Sequence, residues 1–407
     1  MKRIFKREAY LTKVRPFYKS DLIKVITGIR RCGKSCLLES IMQELREEGV
    51  PDKDIIYLNL DRKNYISIKS PEQLESAIDS LLKDDDYKYL FIDEIQNVKG
   101  FEPLVNAYKE EGRFSIFITG SNSYLLSGEL VTKLTGRYVE FPLFPLSFNE
   151  YLEMKEFLGK NVDTMPEEFT LYLRSGGFPQ TLELDDISAK HTYVMNLIEQ
   201  ILKKDVSRKN KIRNRLAFDK CRTYLINNFG SATNLGSLVE YLKNTDQVII
   251  KKETLKRYLD LLENAKMLSK CGRFDLKSKK SLQGNEKYYL ADTGLYFAIN
   301  TDERINYGPV LENVVYIYLL SKGYKVSVGR IGKLECDFIA QRDGSYYYIQ
   351  VAMSIMDMDT ENREYAPLEA IRDSYPKYVF TLDNLLQRRN GIHHLNLIDF
   401  IASNSDL

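Results

Sequence analysis

Metal-binding and cross-linking side chains are scarce in this 407-residue chain. Histidine occurs only at 191, 393 and 394, and the five cysteines (32, 36, 221, 271 and 336) form no C-x-x-C pair. No zinc ligand set is apparent, and an odd, scattered cysteine count argues against a disulfide framework. No apolar run approaches the roughly 18 residues that a membrane span requires, and none follows the basic start MKRIFKREAY as a secretion signal would demand. No tract is of low complexity, and no motif repeats at a fixed period. What remains is a globular chain, 43% hydrophobic and 29% charged, expected in the cytoplasm. At about 150 residues per domain it is expected to hold two or three domains.

The net charge of +2 hides an asymmetry. Residues 203–287 carry 21 Lys and Arg against 9 Asp and Glu, a local +12 that leaves −10 for the rest. Such a field is the footprint expected for a polyanion partner, although a solvated loop surface would also account for it.

GIRRCGKS (28–35) has the spacing G-x-x-x-x-G-K-S, which wraps backbone around a chain of phosphates. It lies between an apolar strand, LIKVITG, and a helix with apolar residues at 37, 38, 41, 42 and 45. Gly28 and Gly33 permit the turn, and the backbone of Ile29, Arg30, Arg31, Cys32 and Cys36 completes the cradle. Lys34 adds a point charge and Ser35 a hydroxyl for Mg²⁺. DYKYLFIDEIQ (86–96) supplies the other half of the site: an apolar strand ending in Asp93 and Glu94. Asp93 is expected to hold Mg²⁺ and Glu94 to polarise the attacking water of an ATP hydrolysis.

Between the two motifs, DIIYLNLD (54–61) predicts an inserted strand, and Ser70 with Pro71 predicts a capped helix start. RFSIFITGS (113–121) predicts a further strand ending in Thr119, Ser121 and Asn122. These three either contact the water or γ-phosphate or cap the next helix. Arg137 is open between an arginine finger, in its own subunit or in a neighbour of a homo-oligomer, and an ordinary ion pair. YLRSGGFPQ (172–180) breaks a helix and suits a lid after the ATPase core.

GIRRCGKS, FIDEIQN, ITGSNSYLLS, GRYVEFPLFPLSFNEYL and GGFP, in this order, resemble an AAA+ family of bacteria and archaea, the AAA-14 type. The resemblance implies an α/β P-loop AAA+ parallel-sheet core with a lid over 1–200. A winged helix-turn-helix over 201–300 and a PD-(D/E)xK restriction-endonuclease-like α/β module over 301–407 would follow.

The residues agree with that outline. Three helical segments follow the basic stretch KKDVSRKNKIRNR, and a Lys-rich turn separates two strand-like pieces. Lys251, Lys252, Lys256 and Arg257 on the third helix, and Lys277, Lys279 and Lys280 on the wing, are placed for DNA phosphates or for a partner protein. In the last module, Glu312 on a helix and Asp337 and Gln350 on strands outline a nuclease metal site. Its third element reads Gln-Val-Ala where Glu-x-Lys is usual, so the lysine is missing. Lys325 and Lys333 are the sequence candidates to replace it, and a scaffold or a DNA-binding remnant without cleavage is the favoured reading.

Overall fold

The computed structural model describes residues 3–121, 136–207, 212–300 and 306–407. These fall into two compact units, Met1–Leu143 and Phe144–Leu407. Asn122, most of ITGSNSYLLS and residues 208–211 of the basic stretch lie outside the described residues.

In the first unit five strands, β1 (Ile23–Thr27), β2 (Ile55–Asn59), β3 (Lys88–Asp93), β4 (Phe114–Gly120) and β5 (Tyr138–Pro142), form one sheet in the order β2-β3-β4-β1-β5. All pairings are parallel. The strands β1, β3 and β4 are buried along their whole length, as unbroken apolar runs require when helices cover both faces. The helices are α1 (Glu8–Val14), α2 (Lys34–Glu47), α3 (Pro71–Asp79) and α4 (Glu102–Glu110). As expected, Ser70 caps α3 in a reciprocal box with Gln73, with Pro71 at the first helical position. Because β4 lies between β1 and β3, its last residues sit between the glycine loop that follows β1 and the acids that end β3.

The second unit opens with α5 (Phe148–Phe157), α6 (Met165–Ser175), α7 (Ile187–Ile201) and α8 (Arg215–Asn227). It continues through β6 (Ala232–Thr233), α9 (Leu235–Asp246), α10 (Lys252–Asn264), β7 (Leu268–Asp275), β8 (Lys280–Leu290) and α11 (Gly294–Ile299). After α12 (Tyr307–Ser321) come β9 (Lys325–Ile331), β10 (Leu334–Arg342), β11 (Ser345–Val351), α13 (Met358–Ala370), β12 (Lys377–Thr381), β13 (Arg388–Arg389), β14 (Ile392–Asn396) and α14 (Leu397–Ala402).

Its nine strands form a single sheet, β13-β14-β12-β11-β10-β9-β7-β8-β6. The sheet crosses residue 300, because β7 pairs in parallel with β9 through Arg273, Phe274 and Asp275 against Val328, Gly329 and Arg330. The strand β12 is interior: β14 pairs in parallel on its outer side, and β13 forms the edge. Periodicity alone does not reveal how many short strands follow.

The Gly-Gly of GGFP has a packing explanation. Gly176 ends α6 with φ +73°, and its neighbour Gly177 donates its amide to Asp292 at 2.6 Å. The other Asp292 oxygen accepts the Gly294 amide at 2.8 Å, and Thr293 bonds the Leu173 carbonyl at 2.8 Å. A Cβ on Gly176 would stand 1.8 Å from Asp292 Oδ1. The motif therefore seats α6 against the segment that leads into α11.

Gly159, in the same unit at φ +69°, has nothing within 4 Å of a built Cβ. Gly159→Ala should thus cost about 1 kcal/mol for its backbone alone, whereas Gly176→Ala should cost at least about 3 kcal/mol by adding the clash. Denaturant unfolding of the two variants checks the difference.

Candidate functional site

The glycine loop is built by the β1–α2 connection. Gly28 has φ +157°, and a Cβ there would stand 2.2 Å from the Leu143 carbonyl oxygen, so only glycine fits. Arg31 and Gly33 also take positive φ, and Gly33 opens α2 with no side-chain cap. The helix α2 therefore opens at the loop without a side-chain cap, which is the arrangement that receives phosphate. Lys34 is buried and donates to the carbonyls of Gly28 (3.0 Å) and Ile29 (3.2 Å), which hold its ammonium within the loop.

The same loop is braced from below: buried Arg7, just before α1, donates to the Cys32 carbonyl at 3.2 Å. The Cys32 thiol is buried against the Leu143 carbonyl and burial pushes its pKa up, so it packs rather than reacts. Cys36 is exposed and Ser35 partly so.

Asp93 is fully buried at the end of β3, as parallel-sheet geometry dictates. One carboxylate oxygen accepts from Asn59 Nδ2 at 2.7 Å and from the Tyr57 hydroxyl at 3.2 Å; the other accepts from Thr119. Thr119 Oγ1 also accepts the Glu94 amide at 3.0 Å. Thr119 thus ties the two acids together. Glu94 has φ +60°, a strained left-handed conformation for a non-glycine residue, which turns its side chain away from the strand line. Its carboxylate accepts from Gln96, which also donates to Ser121 Oγ at 3.3 Å.

Arg30 lies 4.0 Å from Glu94 and 3.7 Å from Asp61. Burial pushes the Glu94 pKa above the usual range, opposed by Lys34 and Arg30. The oxygen donors of Ser35 and Asp93 fit a hard cation such as Mg²⁺. Sequence reasoning named the loop and the acids but missed Asn59, Tyr57 and Gln96 as partners. The alternation in DIIYLNLD places Tyr57 and Asn59 on one face, which is the signal that was available.

Arg137 does not join these residues. It precedes β5, and its carbonyl accepts the Ile23 amide at 2.9 Å, which sets it beside the start of β1, whereas the loop follows that strand's end. Its guanidinium donates to Asn106 at 2.6 Å and lies 3.7 Å from Glu110, both on α4. A finger role within its own site is excluded by this placement, and the ion pair is what is found.

In the second unit Glu312, Asp337 and Gln350 do converge. Asp337 sits where the β9–β10 register shifts between Cys336 and Ile339, a bulge that re-aims its side chain. Its amide donates to Gln350 Oε1 at 2.7 Å, and one of its carboxylate oxygens accepts the Val351 amide at 2.9 Å. Gln350 Nε2 donates to Glu364 at 2.8 Å. Gln350 is therefore a bridge, and its carbonyl oxygen is engaged by main chain rather than offered to a metal.

The missing cation comes from an unexpected element. Buried Lys287, on β8, contacts Glu312 at 3.2 Å and Glu335 at 3.0 Å, and Tyr289 donates to Glu312 at 3.0 Å. Lys325 and Lys333 are exposed and are not the cation of this pocket. Burial and the neighbouring Glu312 charge hold the Asp337 carboxyl well above its ordinary range, against the pull of Lys287. Among the described residues, the one acidic triad whose oxygens lie within 4.8 Å of one another is elsewhere, at Asp54, Asp84 and Asp86. Those acids hold Lys53 and Lys88. The pocket around Glu312 and Asp337 does not fit a divalent metal as it stands.

Residues 20–152 match the AAA domain family AAA_14, and residues 166–304 match a domain of unknown function, DUF8612. An uncharacterized protein of Haemophilus influenzae is 34% identical over 404 residues, covering 98% of this chain and 99% of the relative. One of Methanocaldococcus jannaschii is 29% identical over 361 residues, 86% of this chain and 79% of the relative. The Walker-type ATPase of Pyrococcus abyssi shares the fold at a TM-score of 0.53 and 16% identity, over 73% of this chain and 96% of that one.

Lys287→Met should leave Glu312 and Asp337 without their cation and destabilise the second unit by about 3–5 kcal/mol near neutral pH. Carboxyls whose folded pKa is raised lose stability as pH rises through it, so the deficit should be larger at pH 8 than at pH 5. Unfolding curves at both pH values check this, and adding Glu312→Gln should recover part of the loss.

Proposed function

This chain belongs to the same family as its full-length Haemophilus influenzae relative, with an AAA domain over residues 20–152, and we propose that it is an ATPase that acts on DNA. The observation that carries the first half is the seat of Asp93 and Glu94, fixed by Asn59 and Thr119 beside a loop whose lysine is held by its own carbonyls. Phosphates would exchange for those carbonyls on Lys34 and take the amides at the start of α2. Ser35 and Asp93 would hold Mg²⁺, which supplies charge neutralisation of the phosphates. Glu94, poised between Arg30 and Gln96, accepts the proton of the attacking water. Arg137 contributes only if a second copy presents it.

The DNA half rests on residues 201–300, read as a winged helix. The helices α8, α9 and α10 precede the β7–β8 hairpin, and β6 pairs antiparallel with β8. Lys251, Lys252 and Lys256 on or beside α10 are exposed. Residues 1–200 are read as the ATPase with its lid and 301–407 as the nuclease-like module. A second reading, a nucleotide-gated protein switch with an inactive nuclease-like scaffold, draws on Lys287 filling the acidic pocket.

ATPase assays with and without single- and double-stranded DNA and RNA separate the two: DNA-stimulated turnover supports the first reading, and its absence the second. Lys34→Ala should lose ATP binding. Glu94→Gln should keep binding and lose at least about a hundredfold in turnover. Because burial raises the Glu94 pKa in the free enzyme, the acid limb of kcat/KM should lie above that of an ordinary glutamate. A pH–rate profile of wild type reads it directly. In a plasmid nicking assay with Mg²⁺ or Mn²⁺, wild type and Asp337→Ala should be equally inactive.

A further inference from the structure

Two hairpin turns leave the same end of the nine-stranded sheet. Because β7 and β9 run parallel in register, the β7–β8 turn and the β9–β10 turn emerge side by side, one strand spacing of about 4.8 Å apart. The Leu276 amide donates to the Arg330 carbonyl at 2.9 Å, extending the pairing into the turns. Lys277, Lys279 and Lys280 project from the first turn, Arg330 and Lys333 from the second, and all are exposed. The Lys277 ammonium lies 3.4 Å from where a Cβ on Gly332 would stand, so the glycine makes room for it against the neighbouring turn.

Two carboxylates lie nearby, and both are already engaged. Asp275 Oδ1 accepts the amides of Lys277 at 3.0 Å and Ser278 at 2.7 Å, which fixes the first turn, and its charge is felt by Arg330. Glu335 is engaged by Lys287 at 3.0 Å and by Arg273 at 3.9 Å. Five cations are thus held on adjacent turns with two nearby carboxylates, Asp275 and Glu335, the latter opposite Arg330 in the β9–β10 pair. An anion that ran across both turns would relieve their mutual repulsion.

We propose that the two turns form a single basic fork that grips the phosphate backbone of duplex DNA, so that the C-terminal sheet is part of the DNA surface along with the β7–β8 wing. The proposal rests on the DNA reading given above and adds to it the second prong, Arg330 and Lys333. Contacts from these side chains to phosphates carry no sequence information, so the grip is expected on any duplex. A phosphodiester chain, with a negative charge every ~1.7 Å of duplex axis, matches paired turns better than a single small anion does.

The test is fluorescence anisotropy of the full chain with a labelled DNA duplex over a salt series. Each phosphate contact contributes about 0.9 to the slope of log K against log salt. Arg330→Ala/Lys333→Ala should lower the slope by about 2 and weaken binding on every sequence. Lys325→Ala, at the far end of β9, should change neither. Lys333→Ala alone, at an exposed turn, guards against a folding defect in the double variant and should lower the slope by about 1. An unchanged slope in the second-prong variants, with weaker binding by Lys251→Ala/Lys252→Ala/Lys256→Ala, overturns the fork and leaves the DNA reading standing. No binding by wild type overturns both.

Discussion

A buried carboxylate at the end of a central strand has to be held by donors, and Asp93 is the point where the first unit meets that requirement. The donors come from two other elements: Asn59 and Tyr57 on β2 and Thr119 on β4. Satisfying them fixes β3 against its neighbours on both sides, and Thr119 hands the same constraint on to the Glu94 amide. The strained backbone at Glu94 is tolerated because this hydrogen bond and Gln96 hold it. The glycine loop that follows β1 is placed by the parallel pairing of β1 with β4 and braced by Arg7.

The second unit meets the same requirement differently. Glu312, Glu335 and Asp337 come from a helix and a strand, and the cation that answers them is reached across the sheet from β8. Breaking one member of such a set is costly because the remaining charges stay in a poorly hydrated place. The β7–β9 pairing that makes Lys287 available also brings the two basic turns together, so the acidic pocket and the basic fork are products of one parallel register.

The core of the first unit was legible because its signals are local. GIRRCGKS and FIDE each fix a loop and a strand end within a few residues, and Ser70-Pro71 marks a helix start by its capping chemistry. Partnership was less legible. Tyr57 and Asn59 carry no motif, and their meaning appears only once β2 lies beside β3. Arg137 followed a Gly in a motif-rich stretch, yet parallel pairing with β1 carries it to the wrong end of the sheet. In the second unit, the lysines nearest Asp337 in sequence, Lys325 and Lys333, are exposed. The sheet instead recruits Lys287, 50 residues upstream, through a strand pairing that no short-range pattern encodes. The Gly-Gly of GGFP suited a lid by position, and its contacts show a joint held by Asp292.

That the cation of the acidic pocket belongs to the polypeptide has a consequence for how the sequence can vary. A pocket that holds a metal can keep its carboxylates whatever happens on a neighbouring strand, since the ion is supplied by solution. Here loss of the ammonium at 287 must be answered at 312, 335 or 337, and loss of a carboxylate there relaxes the need for a base at 287. Across relatives of this chain, these positions should therefore change together, a basic residue on one strand tracking acidic residues drawn from two other elements. Such a covarying set would look like a functional site while recording only that charge must be balanced inside a folded chain.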